Sequence, residues 1–194
     1  MSLPSPATDA SIRAALKLKL AATHQQDDTV VLDELGVSRG EVRVDLAVVN
    51  GEIHGYEIKS ERDSLRRLPN QVDIYSKVLD QATLVTAEGH LDAALAIIPD
   101  WWGVLCVDTT HAGLRFKSVR HSKTNPTRDA RVLAEFLWLD DAIRLLEQHG
   151  LDRGVRSKPR RIVWDRISET LHIDVIATAV REHLKSRTVL TTAP

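Results

Sequence analysis

"VDLAVVNGEIHGYEIKS", Val44 to Ser60, decides the fold. Two apolar arms, residues 41–49 and 52–60, flank Asn50-Gly51, a dipeptide that favours hairpin turns. Side chains alternate between faces along a strand, so Glu57 and Lys59 share one face of the second arm. Asp45 is the lone charge in the run Val44–Val49 of the first arm, with Val44, Leu46 and Val48 expected on the face opposite to it. A strict two-residue turn sets Asp45 against Tyr56, on the wrong face for Glu57. A three-residue turn with Gly51 in the left-handed region, or a bulge, restores the parity. We expect the second arrangement, because it gathers three charges on one face.

Working outward, a helix capped by Asp9 or Ser11 is expected through Ala22, after a frayed tail over residues 1–8. A short strand is expected over 29–35. Leu65, Leu68, Val72, Tyr75 and Leu79 have helical spacing and predict a helix from Arg62 to Asp80, kinked or broken at Pro69. A buried strand at 82–87, a helix near 89–97 and strands near 103–108 and 113–119 complete an α/β core with a mixed sheet flanked by helices. HSKTNPTRD, 121–129, reads as a linker. Helices follow at 129–149, 158–171 and 173–187, with Gly150 stopping the first. The chain therefore divides into a core, 1–120, and an α-helical C-terminal extension, 121–194.

The bulk numbers narrow the function. The 194 residues are 43% apolar, enough for a sizeable core, and the net charge of −1 excludes a surface coated in basic charge but not a local basic cleft. One cysteine, Cys106, excludes an internal disulfide framework and suits a reducing compartment. No apolar run reaches the ~20 residues of a membrane span, and the N-terminus lacks a signal pattern. These features predict a soluble, cytoplasmic protein that does not enter membranes.

Two readings of the hairpin charges stand at this point. They are ordinary ion pairs on a surface hairpin, or they are a metal site. Two converging carboxylates repel unless a cation lies between them, and hard oxygen donors suit Mg²⁺ or Mn²⁺. Such an ion polarises a phosphoryl oxygen and lowers the pKa of a bound water.

Asp45, eleven intervening residues, then Glu57-Ile58-Lys59, followed by Gln71-Val-Asp-Ile-Tyr75 in the next helix, resembles the PD-(D/E)XK nuclease superfamily in its QxxxY-bearing branch. The resemblance covers about residues 28–107 and is closest to uncharacterised bacterial members. Val44 stands where many members have proline. The resemblance implies a restriction-endonuclease-like core and a Mg²⁺- or Mn²⁺-dependent DNA phosphodiesterase used in repair, restriction or defence. It also implies roles. Asp45, Glu57 and the Ile58 carbonyl bind the metal, and Glu34 completes its shell. Lys59 orients the attacking water or steadies developing charge. Gln71 and Tyr75 shape the site. Ser60, Asp63 and Arg67 surround it. DNA is the implied partner, with a homodimer or a separate motor or repair protein as further partners. The alternatives are a catalytically silent nuclease-fold module that binds DNA or protein, and an interaction protein whose hairpin charges are incidental.

Outside this region the signals are plainer. The eight histidines, His24, His54, His90, His111, His121, His149, His172 and His183, lack zinc-ligand spacing. His54 is expected on the hairpin face opposite Glu57. Cys106 reads as a small buried hydrophobe. Of Trp101 and Trp102, one reads as core and the other as core or a base-stacking platform. RGVRSKPRR, 153–161, puts Arg156, Lys158, Arg160 and Arg161 forward, with Arg67, as DNA contacts or as a solvated loop. The two helices around 170–173 lack the glycine of a strong helix-turn-helix.

Overall fold

The computed structural model describes residues 7–111 and 113–192, and of the expected frayed tail residues 1–6 lie outside that range. The elements are α1 (Asp9–Thr23), β1 (Val30–Val37), β2 (Val42–Val49), β3 (Ile53–Lys59), α2 (Leu68–Ser76), β4 (Gln81–Ala87), α3 (Leu91–Leu95), β5 (Gly103–Thr110), β6 (Gly113–Arg120), α4 (Ala130–Ala134), α5 (Leu139–Gln148), α6 (Arg160–Thr170) and α7 (Ile173–Thr192). The six strands form one mixed sheet in chain order. Pairs β1–β2, β2–β3 and β5–β6 are antiparallel, while β3–β4 and β4–β5 are parallel. Parallel neighbours need crossovers, and α2 and α3 supply them.

Both sheet faces are covered. On one, Ile12, Leu16 and Leu20 of α1 pack on Leu46, Val48, Tyr56 and Ile58. On the other, a larger cluster joins Val44, Ala47, Val49, Ile53, Tyr75 and Trp102 to Leu133, Leu146, Trp164, Ile176 and Val180 of the C-terminal helices. Gly55 fits this second face because a Cβ there would overlap Leu79 Cδ1 and meet Val44 Cγ1 at 3.0 Å.

Several expectations shift. The cap of α1 is Thr8, which forms a capping box with Ser11. The predicted 62–80 helix is shorter, because Pro69 sits in the first turn of α2, where proline is tolerated, and a 3₁₀ turn at Leu65–Arg67 precedes it. The expected 129–149 helix is two. Trp138 adopts extended geometry before α5, and the Leu137 carbonyl accepts the Trp164 indole N–H at 3.1 Å instead of continuing a helical ladder. Residues 121–129 are not a free linker. Asn125 is buried and donates to the carbonyls of Ser76 and Leu79, both at 2.7 Å, anchoring the segment to the end of α2. Among the described residues no helix is long and apolar enough to cross a membrane.

Candidate functional site

The turn between β2 and β3 is the three-residue kind. Val49 pairs with Ile53, Ala47 with Gly55 and Leu46 with Tyr56, leaving residues 50–52 as the loop. Gly51 does not take the left-handed conformation expected of it. Extending the register sets Asp45 opposite Glu57, yet the ladder ends one pair earlier. There Ile58 N–H donates to Asp45 Oδ2 at 2.7 Å, so the aspartate side chain takes the place of a strand partner.

The cause lies one strand away. Glu34 of β1, opposite Asp45, has φ 52°, a left-handed conformation rare outside glycine. Pairing resumes on either side, Asp33 with Leu46 and Leu35 with Val44. Val44 consequently joins the core facing the C-terminal helices, while Leu46 and Val48 join the core beneath α1. The expectation that these three share a face therefore fails at Val44: the sheet is wrung at Asp45.

Around Glu57 the side chains converge. Lys59 Nζ donates to Oε1, and Gln71 Nε2 donates to the same oxygen at 2.5 Å. The Tyr75 hydroxyl lies 2.7 Å from Oε2 and 2.6 Å from the Arg43 carbonyl, with one proton for the two acceptors. Gln71 and Tyr75 are one helical turn apart on α2 and so reach the same carboxylate. Glu57 and Lys59 are only 2% and 3% exposed. Burial, aided by the charge of Asp45, holds the Glu57 carboxyl above its ordinary range, and burial similarly raises Asp45. The Tyr75 hydroxyl is also pushed up, by burial and by Glu57. Gln71 Oε1 is buried without a hydrogen-bond partner.

Asp45, Glu57, Ile58, Lys59, Gln71, Glu34 and Arg67 all line one cavity of about 490 Å³, with Asp63 and Asn70 at its wall. It lies near the carboxyl end of β3, where open sheets with parallel strands place their ligands. Glu34 reaches the cavity from its strained position but points its carboxylate at Arg13, 3.0 Å away. Among the described residues, no three His, Cys, Asp or Glu side chains gather to hold an ion unaided. An ion here would rest on two carboxylates, backbone oxygen and water, which is how Mg²⁺ is commonly held.

Sequence reasoning missed Arg13. Its guanidinium, projecting from α1, is 2.8 Å from Asp45 Oδ1, 2.7 Å from the Asp45 carbonyl and 3.0 Å from Glu34. The one trace in the sequence is its i,i+4 spacing from Asp9, an ordinary helix pair. Of the five basic residues expected to meet DNA, Arg67 alone lines this cavity. Arg156 is spent on Asp152 and Glu147, Arg160 stacks on Trp164, and Lys158 and Arg161 are exposed near the start of α6. Trp101 and Trp102 are both buried, which removes the stacking platform expected there. Cys106 is buried as expected. His54 faces away from Glu57, stacked on Tyr56 and 2.8 Å from Thr83 Oγ1.

Fold and site together define an α/β protein whose mixed sheet, flanked by helices, carries a buried carboxylate–lysine constellation at a polar cavity. The chain belongs to the family of bacteriophage P4 protein cII, whose model matches residues 6–191. Protein cII of Enterobacteria phage P4 is 28% identical over 124 residues, 64% of this chain and 47% of that protein, so the match spans about half the length of the relative. A solved structure, a protein of unknown function from Silicibacter pomeroyi, is 16% identical with a TM-score of 0.41, covering 95% of this chain and 92% of the other. A likeness at that level supports no transfer of fold or function.

Proposed function

We propose that this chain is a metal-dependent DNA phosphodiesterase of the PD-(D/E)XK type, built on a restriction-endonuclease-like core. One observation carries the reading. Glu57 is held at once by Lys59, Gln71 and Tyr75, and the cavity it lines also receives Asp45. A structural ion pair needs neither four convergent groups nor an open cavity.

The donors fit a hard divalent ion. Asp45, Glu57 and the Ile58 carbonyl would hold it: Glu57 Oε1 is filled by Lys59 and Gln71, but Glu57 Oε2 and both Asp45 carboxylate oxygens keep acceptor capacity beyond their present partners. Burial raises the Glu57 pKa most, and the repulsion from Asp45 that adds to it is what a cation relieves. The unpartnered Gln71 Oε1 is an acceptor that water on a hydrated ion would satisfy. When bound, Mg²⁺ or Mn²⁺ supplies Lewis acidity and an acidified water. The rest falls to the chain. Gln71 and Tyr75 fix the Glu57 rotamer, so no reorganisation is needed when charge develops. Lys59, an ammonium at the cavity wall, holds the attacking water or the phosphoryl oxygens. Arg67, on the rim, meets the phosphate backbone.

A second reading, a silent nuclease-fold module, draws on Arg13, whose guanidinium already neutralises Asp45 and Glu34. One experiment separates the two. Plasmid, single-stranded and branched DNA are incubated with Mg²⁺ or Mn²⁺, beside Lys59→Met and Glu57→Gln. The expected result is metal-dependent cleavage that drops at least ~10²-fold in either variant. DNA binding without metal-dependent cleavage of any substrate favours the silent module.

A further inference from the structure

A second cavity, of about 280 Å³, opens between residues 36–40 and the C-terminal helices, lined by Arg39, Glu135, Phe136, Trp138, Arg160 and Arg187 among others. We propose that it is a binding site for a single-stranded nucleic-acid segment, which it hands to the Glu57 cavity. The site itself rests on its own residues; the hand-over rests on the reading given under Proposed function.

The chemistry is that of strand recognition. Trp138 is 51% exposed, unusual for so large an apolar side chain. The Arg187 guanidinium lies 4.8 Å from its ring centroid, and His183 packs edge-on. Arg160 lies 4.8 Å from the Trp164 ring centroid, and both line the cavity. Stacked on its indole, the Arg160 guanidinium keeps its orientation while its N–H edge remains available for phosphate. Arg39 is 73% exposed, with one long contact of 3.8 Å to Glu135. Cations and an exposed indole thus border one recess, the combination that binds unpaired strands by stacking and backbone neutralisation. A duplex keeps its base faces stacked internally and offers none to the exposed indole.

The two cavities meet at Gly40, which lines both. Its φ is +90°, and a Cβ built there would meet nothing within 4 Å, so space is open beside the backbone where the two linings share a residue. Ser38 and Arg39 before it also have positive φ, 49° and 58°. Two consecutive non-glycine residues held left-handed store backbone strain, and such strain collects at ligand-contact segments. Here it presents Arg39 at the junction.

The test is binding of a fluorescein-labelled oligothymidylate of about a dozen nucleotides in EDTA, read by anisotropy. Trp138→Leu and Arg160→Gln are compared with Arg115→Gln, an exposed control on β6, and folding is verified by circular dichroism. Trp138→Leu is expected to weaken binding at least ~10-fold. Arg160→Gln is expected to lower the salt slope by about one. Arg115→Gln should bind as wild type, and a blunt duplex should be indifferent to Trp138→Leu. Oligonucleotide binding unchanged in both cavity variants overturns the site, as does their loss of an acidic peptide ligand instead. If these variants lose binding while the wild type cleaves nothing, the site stands and the catalytic reading fails. If cleavage proceeds at wild-type rates in both variants, the hand-over is wrong even though the Glu57 reading holds.

Discussion

Asp80 and Glu57 are both buried carboxylates, 5% and 2% exposed, at opposite ends of β3. Asp80 accepts the Ile53 N–H at 2.8 Å where the strand begins. It is closed by Arg128 at 2.5 Å and Arg181 at 3.7 Å, from segments far along the chain. Arg128 also reaches Asp174 of α7. The arrangement ties the C-terminal helices to the sheet, and Asp80 lines neither of the two cavities described above. Glu57 takes its partners from β3 and the adjoining α2, all within eighteen residues, and it lines an open cavity. Buried charge alone is therefore a poor guide to function. What separates the two is whether the partners spend the carboxylate on holding elements together or aim it at space a ligand can fill.

Breaking the comparison at Asp80 has the largest expected effect. Asp80→Ala leaves Arg128 without its buried partner and the Ile53 N–H unsatisfied, and should cost about 3–5 kcal/mol. The check is the urea midpoint, with any cleavage activity per folded molecule retained. Glu57→Gln should do the reverse. It keeps the shape, leaves Lys59 with an amide oxygen, costs about 2 kcal/mol and abolishes activity. Equal stability losses with equal activity losses would erase the distinction drawn between the two carboxylates.

The opposite face of β3 offers a titration of intermediate size. Burial, with the nearby charge of His24, lowers the His54 pKa to about 4, where an ordinary histidine titrates near 6.5. Tyr56, stacked on it and itself raised to about 12 by burial, stays neutral throughout. A lowered folded pKa means that the unfolded chain binds the proton first. The contribution is full above pH 6.5 and is lost as pH falls towards 4, on the order of 3 kcal/mol in all. Urea unfolding at intervals between pH 7 and 4 should show this slope, and His54→Gln should flatten it. An unchanged slope in the variant would assign the acid sensitivity elsewhere.

How much of this is legible in the sequence follows from how local each interaction is. Glu57, Lys59, Gln71 and Tyr75 sit on a strand and the next helix, where periods of 2 and 3.6 state which residues share a face. The three-residue turn followed from parity once Asp45, Glu57 and Lys59 were expected to share a face. The wringing of the sheet at Asp45 did not, because it stems from left-handed Glu34 on a different strand, and nothing in a glutamate announces a positive φ. Asn125, Arg128 and Arg181 likewise look like linker and surface residues until the C-terminal helices fold back. The core reading holds for both Trp101 and Trp102, and the stacking alternative left open for one of them closes because both are buried in the assembled fold. Trp138, the indole that remains exposed, stood inside an expected continuous helix.

Arg13 gives the smallest and most discriminating effect. It holds Asp45 through the carboxylate and the backbone carbonyl, and Glu34 besides, on a side chain 20% exposed. Asp45 keeps the Ile58 N–H when Arg13 is removed, so Arg13→Gln should cost only about 1–2 kcal/mol. The more informative reading is Mn²⁺ affinity. A guanidinium against Asp45 supplies positive charge where a divalent ion would otherwise be drawn, so its removal should tighten Mn²⁺ binding several-fold. Arg13→Lys separates charge from shape. The ammonium keeps the charge but cannot reach the Asp45 oxygens and Glu34 in one rigid fork. If Arg13 acts through charge, Lys restores the weaker affinity of the wild type. If it acts by fixing the Asp45 rotamer, both variants bind Mn²⁺ more weakly than wild type, and Arg13 positions the carboxylate for the ion instead of competing with it. Calorimetric titration with Mn²⁺ reads either result without any substrate, so the role of Arg13 is decided independently of whether the cavity cuts DNA.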